Sequence, residues 1–152
     1  MLTQQQVVYD RIRNTKKSLI DLDSTVDKTH HILFKTSTLF PFDLFPDTIT
    51  IDEIKVNITR KEFFSSEQIQ SILIDNISDV EVETAPILAT LVITHIGYRV
   101  NPVAIKNLKR ADAIRAKRII QGLIILRSEK IDTSSYTTPI LRQRLVELGR
   151  TE

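Results

Sequence analysis

The chain has no cysteine and no tryptophan, and only three glycines in 152 residues. Without cysteine there is neither a disulfide frame nor a thiolate zinc site; that suits a reducing cytosol, and a cytoplasmic location is expected. The glycines, Gly97, Gly122 and Gly149, stand far apart. A loop that cradles phosphate needs backbone amides to converge where side chains would clash, hence clustered glycine. The dinucleotide fingerprint and the P-loop are therefore excluded. No run approaches the roughly 20 apolar residues that cross a bilayer. Met1–Gln6 is polar rather than a charged patch followed by an apolar block, so no secretory signal is expected there.

Catalytic sets are equally scarce. His30, His31 and His95 are the only histidines. No HExxH spacing exists to assemble zinc, and adjacent histidines on a strand point to opposite faces. No serine is flanked by the glycines of a nucleophile elbow. Asp75, Asp79, Glu81 and Glu83 could be drawn as an acid–base group. Glu81 and Glu83, however, alternate with Val80 and Val82, as the wet face of a strand does anyway. The expectation is a protein that is not an enzyme, with no cofactor, no metal and no small-molecule substrate.

Apolar residues make up 41% and charged residues 26%, ordinary values for a globular chain of about one domain plus appendages. The net charge of +2 matters less than its distribution, because Lys106, Lys109, Arg110, Arg115, Lys117 and Arg118 crowd into one segment. Within Asn107–Ser128, the residues Ala113, Ala116, Ile119, Ile120, Leu123 and Ile124 fall on one side of a helix. Arg115, Lys117 and Arg118 fall outside that stripe. Asn107 is placed to cap the first turn, and Asp112 to meet its free amides. Gly122 costs a helix about 1 kcal/mol relative to alanine, so a close approach by another element is expected there.

Upstream, Val8, Ile12, Thr15, Leu19, Leu22 and Val26 alternate by four and three, a seam like that of a coiled coil. Arg11, Arg13, Lys16 and Lys17 stand between them. This predicts an N-terminal helical arm over 1–28, packed on its own domain or on a twin copy; the alternative is a basic amphipathic helix lying on an anionic membrane, against which its apolar face lacks tryptophan and phenylalanine.

From His30 the rhythm becomes that of short strands. The first is His31–Phe40, rich in β-branched and aromatic residues. Pro41 and Pro46 bracket a loop, and Thr48–Asp52 is the second strand. After a turn at Asp52-Glu53, Ile54, Val56 and Ile58 alternate with polar residues in the third. Arg60–Glu67 reads as strand end and loop. Ile72 and Ile74 mark a fourth strand, Val80 and Val82 a fifth, and Leu88–Ile96 a sixth after the break at Ala85-Pro86. Gly97-Tyr98 turns the chain, and Val103 and Ile105 lead a seventh strand into the helix. The expected fold is mainly β with α, a seven-stranded antiparallel barrel or bent sandwich over 29–128, its open end stopped by the helix. In 129–152, a polar linker, Asp132–Tyr136, precedes a short helix starting at Thr138-Pro139. Its stripe is Leu141, Leu145 and Leu148, ending at Gly149.

Seven strands, the run Ser71–Val80 with Ile74, Ile77 and Val80 at I-x-x-I-x-x-V spacing, and the final amphipathic helix together resemble a pleckstrin-homology-like (PH-like) domain of the bacterial type. The likeness covers His30 to Ser128. Phosphoinositide-binding members of that family carry several lysines and arginines on the first two strands and the loop between them. Here that region holds only Lys35, and its loop, Pro41-Phe42-Asp43-Leu44-Phe45-Pro46, is apolar and acidic. The resemblance then implies the family's other common use, protein contact.

Two candidate surfaces follow. Phe42, Leu44 and Phe45 either fold back onto the barrel or form an apolar tip for a partner. Lys109, Arg110, Arg115, Lys117 and Arg118 are a solvated face or an anion-binding one. Nucleic acid is not expected, because no aromatic residue lies between Arg99 and Lys130 to stack on bases. The functional expectation is a binding or scaffold module with a protein partner or self-association. The alternative is a peripheral adaptor on anionic membrane.

Overall fold

The computed structural model describes residues 4–63, 66–97 and 101–150. A long helix, α1 (Gln4–His30), leads into seven strands: β1 (Phe34–Ser37), β2 (Thr48–Ile51), β3 (Lys55–Lys61), β4 (Glu67–Leu73), β5 (Ile77–Thr84), β6 (Leu88–His95) and β7 (Asn101–Lys109). Two helices follow, α2 (Arg110–Ser128) and α3 (Thr138–Leu148). The strands form two antiparallel sheets, β1-β2-β3-β4 and β5-β6-β7. The seven antiparallel strands and the helix after them are as expected; among the described residues no ladder joins one sheet to the other, so of the expected barrel or bent sandwich a closed barrel is not what forms.

Alternation builds the first sheet. Ile49 and Ile51 on β2 are wholly buried and pair with Ile58 and Val56 on β3, also wholly buried. The tight link between them is set by Asp52, whose Oδ1 accepts the N–H groups of Ile54 and Lys55 at 2.7 and 2.8 Å, the turn-making habit of a short acidic side chain. On the opposite face Ser71 donates to Asn57 Oδ1 at 2.6 Å across β3 and β4. In the second sheet Ala89, Leu91 and Ile93 of β6 point inward with Val103 and Ile105 of β7.

The corner between the sheets explains the three-residue spacing of Ile74, Ile77 and Val80, all of them buried. Ile74–Asn76 forms one turn of 3₁₀ helix, whose period is three residues. A bulge between Ile77 and Asp79 then shifts the strand by one residue and returns Val80 to the inside.

Helix α2 packs on β5, β6, β7, β1 and the 3₁₀ turn. Ala113, Ala116, Ile119, Ile120 and Leu123 are buried and Ile124 is half-buried, as the stripe predicts. Asp112 lies in the first turn and accepts a hydrogen bond from Thr36 Oγ1 at 3.2 Å. Helix α3 lies against α2 and sends Leu141 and Leu145 into the same buried cluster. Gly122 is where it approaches, since a Cβ there would sit 2.5 Å from the Leu145 carbonyl oxygen. A Cβ on Gly149 would run into the carbonyl of Arg118. One glycine at each contact lets two backbones touch.

Several expectations are corrected. Asn107 does not cap α2: it lies in β7, and the cap position is Lys109, with no side-chain cap bond. Helix α1 runs through His30, so that residue starts no strand, and the first strand is confined to Phe34–Ser37. The fourth strand begins at Glu67, within the stretch read as loop, and Ile74 belongs to the corner. The side chain of Val26 in the N-terminal seam, and Tyr98 of the expected turn, lie outside the described residues.

Candidate functional site

The connection from β1 to β2 carries a polar frame on the inside and apolar side chains on the outside. Thr38, buried at the end of β1, is its hub. Its hydroxyl donates to Asp43 Oδ2 at 2.8 Å and accepts the Asp47 N–H at 2.9 Å, while its own N–H donates to the Asp47 carbonyl at 2.9 Å. The other oxygen of Asp43 accepts the Phe45 N–H at 3.2 Å, and the Asp43 N–H donates to the Leu39 carbonyl at 3.0 Å. The Phe40–Pro41 peptide is cis.

Asn107 fastens this loop to the second sheet. It sits at φ +60°, a left-handed conformation that asparagine tolerates better than most residues. The conformation falls in the register shift where β7 carries one residue more than β6 between Ala89 and Leu91. Its carbonyl accepts the Leu39 N–H at 2.9 Å, and its Nδ2 donates to the Phe42 carbonyl at 3.2 Å. The backbone of the loop is thus held from both ends.

With these groups occupied, the apolar side chains have nowhere inward to go. Phe40, Phe42 and Leu44 are 71%, 59% and 70% exposed. Phe45 meets Phe63 edge-on, with ring centroids 5.0 Å apart, which joins the β3–β4 turn to the same patch. Phe40 and Phe63 were not singled out in the sequence; a phenylalanine beside a proline, and another in a polar stretch, were the available signals. Beneath the patch, burial raises the Asp47 carboxyl above its ordinary value and the nearby charge of Asp43 adds to the effect. Arg60, 3.8 Å away, and a hydrogen bond from the Lys61 N–H oppose it.

The predicted basic face does not gather in one place. Lys109 and Arg110 are exposed at the β7–α2 junction, two and three residues beyond Asn107. Arg115 lies on the other flank of α2, where it lines an open groove with Arg142 and Arg150. Lys117 and Arg118 are half-buried. Sequence reading missed Arg142 and Arg150 because only the return of α3 along α2 brings them to Arg115.

At the opposite end, a groove of about 370 Å³ is lined by Glu53, Asp75, Leu123, Arg127, Ile131 and Thr133. The Thr133 hydroxyl donates to Glu53 Oε2 at 2.6 Å, and Arg127 donates to the Glu53 carbonyl at 3.3 Å while pairing with Asp75 at 3.6 Å. These bonds tie the α2–α3 linker to the β2–β3 turn, and each oxygen they use is already engaged. Among the described residues no three side chains are gathered to hold a metal ion. His31 is exposed, and Glu81 and Glu83 lie on the wet face of β5. No family model matches this chain, and no curated protein is similar enough to it to count as a relative.

Proposed function

We propose that this chain is a non-catalytic protein-binding or scaffold module of PH-like fold, which engages its partner through the Phe40–Phe45 loop and assembles through its helical arms. The observation that carries the reading is the loop itself. Its polar groups are bonded inward and its phenyl and leucyl groups are turned to solvent, a costly arrangement unless something covers it. A preformed aromatic tip loses little conformational entropy on docking, and aromatic anchors supply much of the energy of protein interfaces. The PH-like assignment is supported by the four-plus-three strand order and by a helix after the last strand lying against both sheets.

The test is affinity capture with the wild-type chain and with Phe42→Ser/Phe45→Ser. Phe42 is exposed and Phe45 gives up chiefly its edge contact with Phe63, so the variant stays folded, less stable than wild type by about 0.5–1.5 kcal/mol, and it loses a protein that the wild type retains. Identical captured sets would end the reading.

One observation favours a second use, as a peripheral adaptor on anionic membrane. Lys109 and Arg110 follow Asn107, the residue that holds Phe42, so exposed cations stand near an exposed apolar tip. That pairing suits a lipid interface. Sedimentation with phosphatidylserine vesicles, strong at low salt and lost at high salt, would decide for the membrane.

A further inference from the structure

Helices α2 and α3 bring arginines together without bringing acids to them. Arg115 of α2, with Arg142 of α3 and Arg150 beyond it, lines a groove of about 560 Å³. Close backbone contact enforces the meeting. At Gly149 the chain lies so near the Arg118 carbonyl that a Cβ has no room. Arg150, the next residue, is thereby brought to the part of α2 that carries Arg115. The one carboxylate in the described lining, Glu147, is already engaged: its Oε2 accepts from Arg144 at 3.1 Å and its Oε1 from Gln143 at 3.4 Å. Among the described residues the ion pairs are Arg60–Asp47, Arg127–Asp75 and Arg144–Glu147. None of them uses Arg115, Arg142 or Arg150, and all three of these are exposed. Like charges gathered along one groove repel, and a bound anion relieves the repulsion.

We propose that this groove binds a free small molecule carrying two or more phosphates. The claim does not depend on the aromatic loop, since no residue of that loop is in the described lining.

The residue type points to phosphate. All three cations are arginines, whose planar forks match phosphate oxygens two at a time, where lysine would offer a point charge. Three forks ask for more acceptors than one carboxylate has, and each phosphate ester supplies three oxygens. The spacing points to more than one such group. Arg142 stands eight residues before Arg150, about 12 Å at the helical rise, so one phosphate does not serve both ends. The described lining also tells against the larger sources of phosphate. It holds no aromatic side chain to stack on a nucleic acid base. Its apolar members are Pro139 and the half-buried Val146, with no large exposed side chain to anchor in a bilayer.

Isothermal titration of the full chain with tripolyphosphate tests the proposal. Binding is expected with a Kd below about 1 mM, weakening as salt is raised. Orthophosphate binds about tenfold more weakly or worse. Arg115→Gln/Arg150→Gln weakens tripolyphosphate about tenfold or more, through lost charge-assisted bonds, and as exposed positions they leave melting unchanged. Lys35→Gln/Lys61→Gln removes the same charge from exposed positions on the first sheet and leaves the affinity as it was. Absence of binding at low salt overturns the proposal, as does an equal loss from the two double variants, which would reduce the effect to net charge. Citrate held as tightly as tripolyphosphate would overturn it in favour of carboxylates. Phosphatidylserine vesicles or a single-stranded oligonucleotide held more tightly through the same arginines would overturn it in favour of membrane or nucleic acid.

Discussion

Helices α1 and α2 carry the same kind of pattern and meet opposite fates. Each has apolar residues at helical spacing on one face and cations on the other. In α2 that face is sealed, with Ile119 and Ile120 wholly buried under two sheets and α3. In α1 the seam stands open. The difference lies in what flanks each helix. Helix α2 leaves directly from β7 and is placed on the sheets by that junction. Its small residues, Ala113, Ala116 and Gly122, let neighbours come close. Helix α1 has neither feature, and its seam of branched residues stays exposed. Amphipathic spacing therefore specifies a face, and flanking geometry decides whether the core covers it.

The largest effect that separates the two helices is truncation in the seam. Ile120→Ala deletes wholly buried methyl groups and lowers stability by about 2–5 kcal/mol. Ile12→Ala deletes the same groups from an exposed position and shifts melting of the β core by less than about 0.5 kcal/mol. Urea denaturation of both variants checks the pair. Equal losses would mean that α1 packs on the core after all.

Gly122→Ala sharpens the contrast at a smaller scale. In an open helix this change gains about 1 kcal/mol from propensity. Here the added carbon meets the Leu145 backbone at 2.5 Å, and overpacking of that kind costs about 1–3 kcal/mol. The approach is to main chain, which cannot swing aside, so the cost wins. A net loss of about 1 kcal/mol is expected in thermal or urea melts, and a gain would show that α3 does not press on α2.

How far the sequence could be read follows the same division between local pattern and distant neighbour. The α2 stripe, the β2–β3 alternation and the Pro139 helix start are local, and all were legible. Strand β4 was hidden because it is an edge strand. Glu67, Gln68 and Gln70 keep it polar on both faces, as edges that avoid pairing with other chains tend to be. Asn107 was read as a cap because asparagine favours caps, yet its tolerance of left-handed backbone was what the β7 bulge required. The apolar loop was visible as composition, while its frame of Thr38, Asp43 and Asn107 depends on residues 65 positions apart meeting. Glu53 and Thr133, 80 positions apart, left no mark that spacing could reveal.

The smallest effect concerns pH, and it acts on the loop side of the molecule through Asp47. Burial is the main reason its carboxyl is raised from the ordinary value of 3.8, and Asp43 adds to the effect while Arg60 and the Lys61 N–H resist. A raised value means that the folded chain holds this proton more tightly than the unfolded chain. Stability from this group therefore grows as pH falls through the folded value toward 3.8, and at neutral pH the ionised carboxylate works against the fold. The direction is opposite to that of a carboxylate held by a strong cation, because Arg60 at 3.8 Å and partly exposed does not outweigh desolvation. Asp47→Asn removes the titration and keeps an oxygen for the Lys61 N–H. Thermal melts of the variant and the wild type should differ most at neutral pH, in favour of the variant, and converge as pH is lowered toward 3.8. A difference that widens on acidification would mean that Arg60 dominates and that the carboxylate beneath the aromatic loop is a stabilising ion.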